Sequence, residues 1–166
     1  TDEGAVNKLL NVALNETNQA PTGVTLTNVI SSLGEDTDTS SRVKVADLQV
    51  TDDGVGSNTI SLTGADAASF EVDGTELFLK AGEVLDYETQ SSYAVTVNAE
   101  DSTVSGSTPA TAAYALNLTD VNEAPTGVSL TNAVTELSDD TDTSSRVKVA
   151  DIVISDDALG TNDITL

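Results

Sequence analysis

The chain repeats one long stretch of itself, and that repetition decides the fold. PTGVTLTNVISSLGEDTDTSSRVKVADLQVTDDGVGSNTISL occupies residues 21–62, and PTGVSLTNAVTELSDDTDTSSRVKVADIVISDDALGTNDITL occupies residues 125–166. Pro125 follows Pro21 by 104 residues, with no insertion between the copies. Most differences are conservative: Leu48 becomes Ile152, Thr51 becomes Ser155 and Glu35 becomes Asp139. A period of this length exceeds a helical or hexapeptide solenoid unit and has the size of one small domain. Working outward, VNKLLNVALNETNQA (6–20) aligns at the same offset with ATAAYALNLTDVNEA (110–124). The chain therefore reads as a piece of a tandem array: the last strand of one repeat (1–20), a complete repeat (21–124) and the first part of the next (125–166).

Inside the complete repeat, apolar residues alternate between clusters of turn residues, the pattern of half-buried strands. Strands are expected at Gly23–Ile30, Arg42–Val50, Asn58–Thr63, Phe70–Asp73, Thr75–Lys80, Tyr93–Asn98 and Ala112–Leu118. The phase slips at Ala46-Asp47, which predicts a bulge. Asp73-Gly74 marks a two-residue hairpin, and Ala65–Ser69 has the length of one helical turn. Seven or so short strands in about 100 residues, with no helical periodicity, predict an all-β antiparallel Greek-key sandwich, immunoglobulin-like in plan. Phe70, Phe78, Tyr93 and Tyr114 are the expected large fillers of a Val/Leu/Ile/Ala core. Residues 125–166 supply about three strands, which cannot close a core alone. Strand exchange or head-to-tail association with another copy is one expected way of completing them.

Six basic and 28 acidic side chains give a net charge of −22, and the chain has no His, Cys, Met or Trp. Without His or Cys there is no thiolate or imidazole for zinc, haem or a His-based triad. A surface this acidic repels phosphates, so no nucleic-acid partner is expected and an anionic membrane face is disfavoured. No run approaches the ~18 apolar residues of a transmembrane helix, and no signal-peptide pattern opens the chain. At 38% apolar, the composition also borders on that of acidic disordered linkers. The blockwise alternation of Val, Leu and Ile argues against that alternative.

The acids cluster at strand ends. Asp86 and Glu88 follow the strand ending near Lys80, Glu35 follows the first strand, and Asp120 to Glu123 joins two repeats. In the expected strand order these share the pole facing the next repeat. Asp52, Asn58 and Asp101 share the other pole, and their copies Asp156 and Asn162 face back across the link. Carboxylates ~4 Å apart repel by about 4 kcal/mol per pair at an effective dielectric of 20. A short acidic junction therefore splays unless a cation sits in it, and mixed carboxylate, amide and main-chain oxygens suit Ca²⁺ better than Mg²⁺. The residues alone leave two readings open: solvated turn acids, or a calcium site.

Three motifs carry a family resemblance over the whole chain. Val84-Leu85-Asp86-Tyr87-Glu88 resembles a Leu-Asp-x-Glu signature, Val95–Asp101 a Val-x-Ala-x-Asp strand end, and Asp120–Pro125 an Asp-x-Asn-Asp-x-x-Pro linker. Thr51-Asp52 resembles the start of an Asp-x-Asp turn. In this order they resemble the bacterial cadherin-like domain, found in tandem in large surface adhesins and secreted polysaccharide-associated proteins. The resemblance implies a calcium cluster at each junction. Glu35, Asp86, Glu88, Asp120, Asn122 and Glu123 would be contributed by one repeat, and Asp156 and Asn162 by the next. At the earlier junction Asp52, Asn58 and Asp101 would meet Asn18 and Gln19. The chain departs from the pattern in places. Asp53 lies directly beside Asp52, Gly54 stands where the family has a ligand, and the linker is one residue shorter. Gln19 replaces Glu123 at the earlier link, where a weak or empty site is expected.

Other motifs are set aside. Asp36-x-Asp38-x-Ser40 with Asp47 imitates a calcium helix-loop-helix loop, but Ser41 stands where Gly is required and a strand pattern follows. Asn15-Glu16-Thr17 and Asn117-Leu118-Thr119 match the glycosylation sequon, which recurs by chance in an Asn/Thr-rich chain. Asp52-Asp53 does not form a glycosidase pair, because neighbours on a turn diverge, and no enzymatic role is expected. The expected role is a calcium-rigidified stalk of a bacterial surface or secreted protein, extracellular or membrane-associated, whose partners are its own neighbouring repeats. The alternative is a module for polysaccharide or for homophilic adhesion, with Tyr87 as its one candidate exposed ring.

Overall fold

The computed structural model describes residues 16–165. The strand expected within residues 6–14 lies outside them. In chain order the strands are β1 (Gly23–Thr27), β2 (Ser32–Gly34), β3 (Val43–Thr51), β4 (Asn58–Thr63), β5 (Phe70–Asp73), β6 (Glu76–Leu79), β7 (Ser92–Asp101), β8 (Ala110–Thr119), β9 (Gly127–Thr131) and β10 (Asp151–Ser155). A single 3₁₀ turn at Ala67–Ser69 precedes β5, and there is no α-helix among the described residues. The residues group into two compact units: 16–31, 39–83 and 93–116 in the first, and 32–38, 84–92 and 117–165 in the second.

The first unit is a β-sandwich. One sheet runs in the order β1-β3-β6-β5; β4, β7 and the first seven residues of β8 belong to the other. Burial along β7 alternates over its whole length, as a two-layer core requires. Val45, Ala46, Leu77, Leu79, Val97, Ala99 and Leu116 have no exposed surface. Phe70 stands edge-on to Tyr93 and to Tyr114, with centroid separations of 6.4 and 5.7 Å, and so joins the two layers. The Tyr114 hydroxyl donates to the carbonyl of Ile30 at 2.5 Å. The expected bulge is present: the β3–β6 register slips between Lys44 and Ala46. The β5–β6 hairpin closes over Gly74 and Thr75, with Gly74 at φ +59°. That is the left-handed conformation glycine adopts without strain.

The first strand departs from expectation. It ends at Thr27, and Asn28 turns the chain at φ +49°, its amide donating to Asp47 Oδ2 at 2.6 Å. Asn is one of the few non-glycine residues that tolerate this region. The continuation is β2 in the second unit, which pairs parallel, not antiparallel, with Asn117, Leu118 and Thr119. The complete repeat thus has eight strands because its first is divided in two.

In the second unit β9 and β10 reproduce the pairing of β1 with β3. Gly127 faces Ser155 as Gly23 faces Thr51. Asn132 has φ +51° and donates to Asp151 Oδ2, just as Asn28 donates to Asp47. The expected third strand is absent among the described residues: 161–165 carry no strand. The cause is pairing. β4 in the complete repeat is held by β7, and among the described residues no strand pairs with 162–165. The same logic shortens β10, which begins at Asp151, because the residues before its counterpart Asp47 are held by β6.

Candidate metal centre

Glu35 is the buried anchor of the second unit, 9% exposed. Its Oε2 accepts from the Tyr87 N–H and its Oε1 from the Val121 N–H, each at 2.7 Å. One carboxylate thereby ties the Leu-Asp-x-Glu segment to the linker. Around it, Glu35, Asp86 and Glu88 each bring a carboxylate oxygen within 4.8 Å of the others. A cavity of about 610 Å³ is lined by these three together with Glu123, Asp156 and Asp157. The sequence-expected Glu35, Asp86, Glu88, Glu123 and Asp156 therefore converge. Asp120 belongs to the same electrostatic group, and Asn162 sits behind Asp156, donating to its Oδ2 at 2.8 Å.

Titration follows from these neighbours. The Thr89 hydroxyl, and then its N–H, hold the Asp86 carboxyl below the ordinary range. At Glu88 its own backbone N–H favours ionisation. Desolvation and the charges of Glu35, Asp120 and Asp86 outweigh it and push the carboxyl up. Asp120 is raised by desolvation and then by Glu35 and Asp157. Glu123 is raised by desolvation and then by Glu35, Glu88, Asp157 and Asp120. Three carboxyls held above their usual range by desolvation, and then by neighbouring negative charge, mark a place that favours positive charge.

Two oxygens sharpen the point. Asp120 Oδ1 and Asp156 Oδ1 are buried without a hydrogen-bond partner. A buried acceptor left unpaired costs about 1–3 kcal/mol, more when charged. The converging side chains offer carboxylate oxygens, which is the chemistry of a hard cation such as Ca²⁺.

In the first unit the earlier link builds a smaller version. Asp101 is fully buried. Its Oδ1 accepts from the Thr103 N–H at 2.8 Å and hydroxyl at 2.6 Å, and its Oδ2 accepts from the Asn18 amide at 3.1 Å. The Thr103 hydroxyl, then its N–H, lower the Asp101 carboxyl despite burial, with Asn18 adding to the effect. Asn58 donates to Asp52 Oδ2 at 2.8 Å. Asn18 Oδ1 and Asp52 Oδ1 are again buried and unpartnered, the same pattern as Asp156 one period later. Asp52, Asn58, Asp101 and Asn18 are thus brought together. Gln19 joins through its main chain, its N–H donating to Asp53.

Three participants were not singled out from the sequence as site residues. Thr103 fixes Asp101, and Asp53 and its copy Asp157 hold the linkers. The only sequence signal for the last two is the doubled acid recurring in both copies.

No protein-family model matches the sequence, and no curated protein matches it. Solved structures do. Protocadherin gamma B2 extracellular cadherin domains 1–5 superpose with a TM-score of 0.62 at 24% identity, over 86% of this chain and 27% of that one. Protocadherin gamma B2 extracellular cadherin domains 3–6 give 0.56 at 26% identity, over 80% of this chain and 30% of that one. A protocadherin gamma B7 cis-dimer structure gives 0.51 at 25% identity, over 65% and 26%. The chain spans less than a third of the length of these chains. These likenesses show that the chain has a cadherin-like fold.

Proposed function

We propose that the chain is a segment of a calcium-rigidified stalk in a large bacterial surface or secreted adhesin, an extracellular, non-enzymatic spacer built from tandem repeats 21–124 and 125–166. The observation that carries this reading is the pair of buried, unpartnered oxygens on Asp120 and Asp156, beside the Glu35–Asp86–Glu88 cluster. Glu35, Asp86, Glu88, Asp120, Asn122, Glu123 and Asp156 would hold Ca²⁺, which supplies the positive charge that lets the acids coexist. Asp52, Asn58, Asp101 and Asn18 would form the weaker counterpart at the earlier link. Neighbouring repeats are then the principal partners.

A scattering measurement of this chain with calcium and with chelator tests the reading. The maximum dimension is expected to be longer and sharper with calcium; an unchanged profile counts against it. The polysaccharide alternative has little support, because Phe70, Phe78, Tyr93 and Tyr114 are buried and only Tyr87 is partly open. Retention on a glycan resin that is lost in Tyr87→Ala would reverse the ranking.

A further inference from the structure

The doubled acid of each turn divides its labour. Asp157 Oδ2 accepts from the N–H of Glu123 in the linker, and its Oδ1 accepts from the N–H of Leu159 in its own turn, both at 2.9 Å. One period earlier Asp53 does the same. Its Oδ2 accepts from Gln19 N–H and its Oδ1 from Val55 N–H, both at 2.8 Å. Both oxygens of each carboxylate are occupied, whereas the preceding Asp52 and Asp156 keep one buried oxygen unpartnered. The residue before the clasped one is seated on the same turn. A β-carbon on Gly160 would lie 2.2 Å from Asn122 Oδ1, and one on Gly56 would lie 2.7 Å from Asn18 Nδ2. Two consecutive linker residues are therefore registered against residues 156–160, and their counterparts against 52–56.

We propose that Asp157 and Asp53 are positioning residues: each is a metal-independent clasp that fixes the linker main chain on the turn of the following repeat, so that Asn122 and Glu123, or Asn18 and Gln19, are set in place before any ion arrives. The clasp reads main chain, which is why it tolerates Gln19 in one copy and Glu123 in the other. It also accounts for the acid standing beside its neighbour instead of two residues on. A carboxylate at 53 or 157 spans from its own turn to the linker, and Gly54 or Ala158, both at positive φ, gives the chain the reversal that aims it there. The calcium half of this inference rests on the stalk reading; the clasp itself does not.

The decisive experiment is amide hydrogen exchange by NMR on the whole chain in chelator. In the native sequence the Glu123 and Gln19 amides are expected to exchange about tenfold or more slowly than free linker amides, as charge-assisted bonds imply. Asp157→Ala should release the Glu123 and Leu159 amides and leave Gln19 protected, and Asp53→Ala should release Gln19 and Val55 and leave Glu123 protected. Asp157→Asn, which preserves shape, should release one of its two bonded amides. Unchanged signals from β7 and β8 report that the variants fold. Slow exchange persisting in both alanine variants overturns the clasp.

Calcium titration then separates positioning from charge. Asp157→Glu keeps the charge but not the span, and is expected to weaken binding about tenfold, as loss of a supporting partner does. Native affinity in Asp157→Glu overturns the positioning role toward the ion. Failure of the native chain to take up calcium, with exchange behaving as expected, removes the stalk reading and upholds the clasp.

Discussion

Gly160 and Asn122 are in such close register that a β-carbon at position 160 would fall 2.2 Å from the Asn122 side-chain oxygen. The same turn one period earlier puts a β-carbon at Gly56 2.3 Å from Asp101 Oδ2. Both glycines sit at positive φ, +69° and +82°. Gly54 supplies an internal control: it has φ +80° but no heavy atom within 4 Å of a β-carbon. Gly54→Ala is expected to cost the left-handed penalty alone, roughly 1–2 kcal/mol. Gly56→Ala should cost measurably more, because Asp101 and Asn18 must also move. Urea denaturation of the two variants in chelator checks this, and equal midpoints would show that the close approach carries no weight.

Glu35 carries more of the second unit than a solvated ligand would. Its two oxygens hold the Tyr87 and Val121 amides at 2.7 Å from a site that is 9% exposed. Glu35→Ala should therefore be destabilising without calcium, by roughly 3 kcal/mol, since it leaves both amides unpaired. Glu35→Gln, which retains one good acceptor, should cost about half as much. Thermal melting in chelator distinguishes this scaffold role from a purely ligating one, for which neither variant would shift the calcium-free transition.

Acid should act in two opposite ways. Glu88, Asp120 and Glu123 are raised in the folded chain, so just above the ordinary carboxylate range the folded state binds more protons than the unfolded state. Falling pH through that window stabilises the calcium-free protein. Asp86 and Asp101 are lowered; the stability they contribute is present above the ordinary range and lost as pH falls through their lowered values. The calcium-free melting temperature is therefore expected to rise on mild acidification toward about pH 5 and to fall below about pH 4. With calcium the first effect should reverse, because protons compete with the ion for the same oxygens. Melting scans from neutral to acid pH, with and without chelator, read both.

Phe70 joins the two sheets through Tyr93 and Tyr114 and is 2% exposed. Phe70→Ala should cost about 3–5 kcal/mol. Tyr114→Phe removes only the hydroxyl bond to Ile30 and should cost about 1 kcal/mol. Chemical denaturation checks both, and neither is expected to alter calcium affinity beyond the loss of fold.

Alternation made most of the fold legible. Phe70–Asp73 and Asn58–Thr63 are strands at the expected bounds, and the bulge lies between Lys44 and Ala46, just before the Ala46-Asp47 phase slip. The division of the first strand was not legible, because it depends on Asn28 adopting φ +49° and on a choice of pairing partner made elsewhere in the chain. The missing strand at 162–165 has the same origin: its sequence is strand-like, but a strand exists only where another edge receives it. The acids of the site were readable by type and position. The direction of a carboxylate was not, so the adjacent Asp156 and Asp157 look alike in sequence while one leaves an oxygen unpaired and the other clasps the linker.

On the stalk reading, the Glu35–Asp86–Glu88 group with Asp120 and Asp156 takes up calcium. Isothermal titration of calcium into the chain at neutral pH and low salt tests it most directly, with the Asp86→Ala, Glu88→Ala double variant alongside. Saturable binding is expected in the native chain, with loss of its tightest phase in the double variant. No heat of binding, or the same isotherm from both proteins, would contradict it.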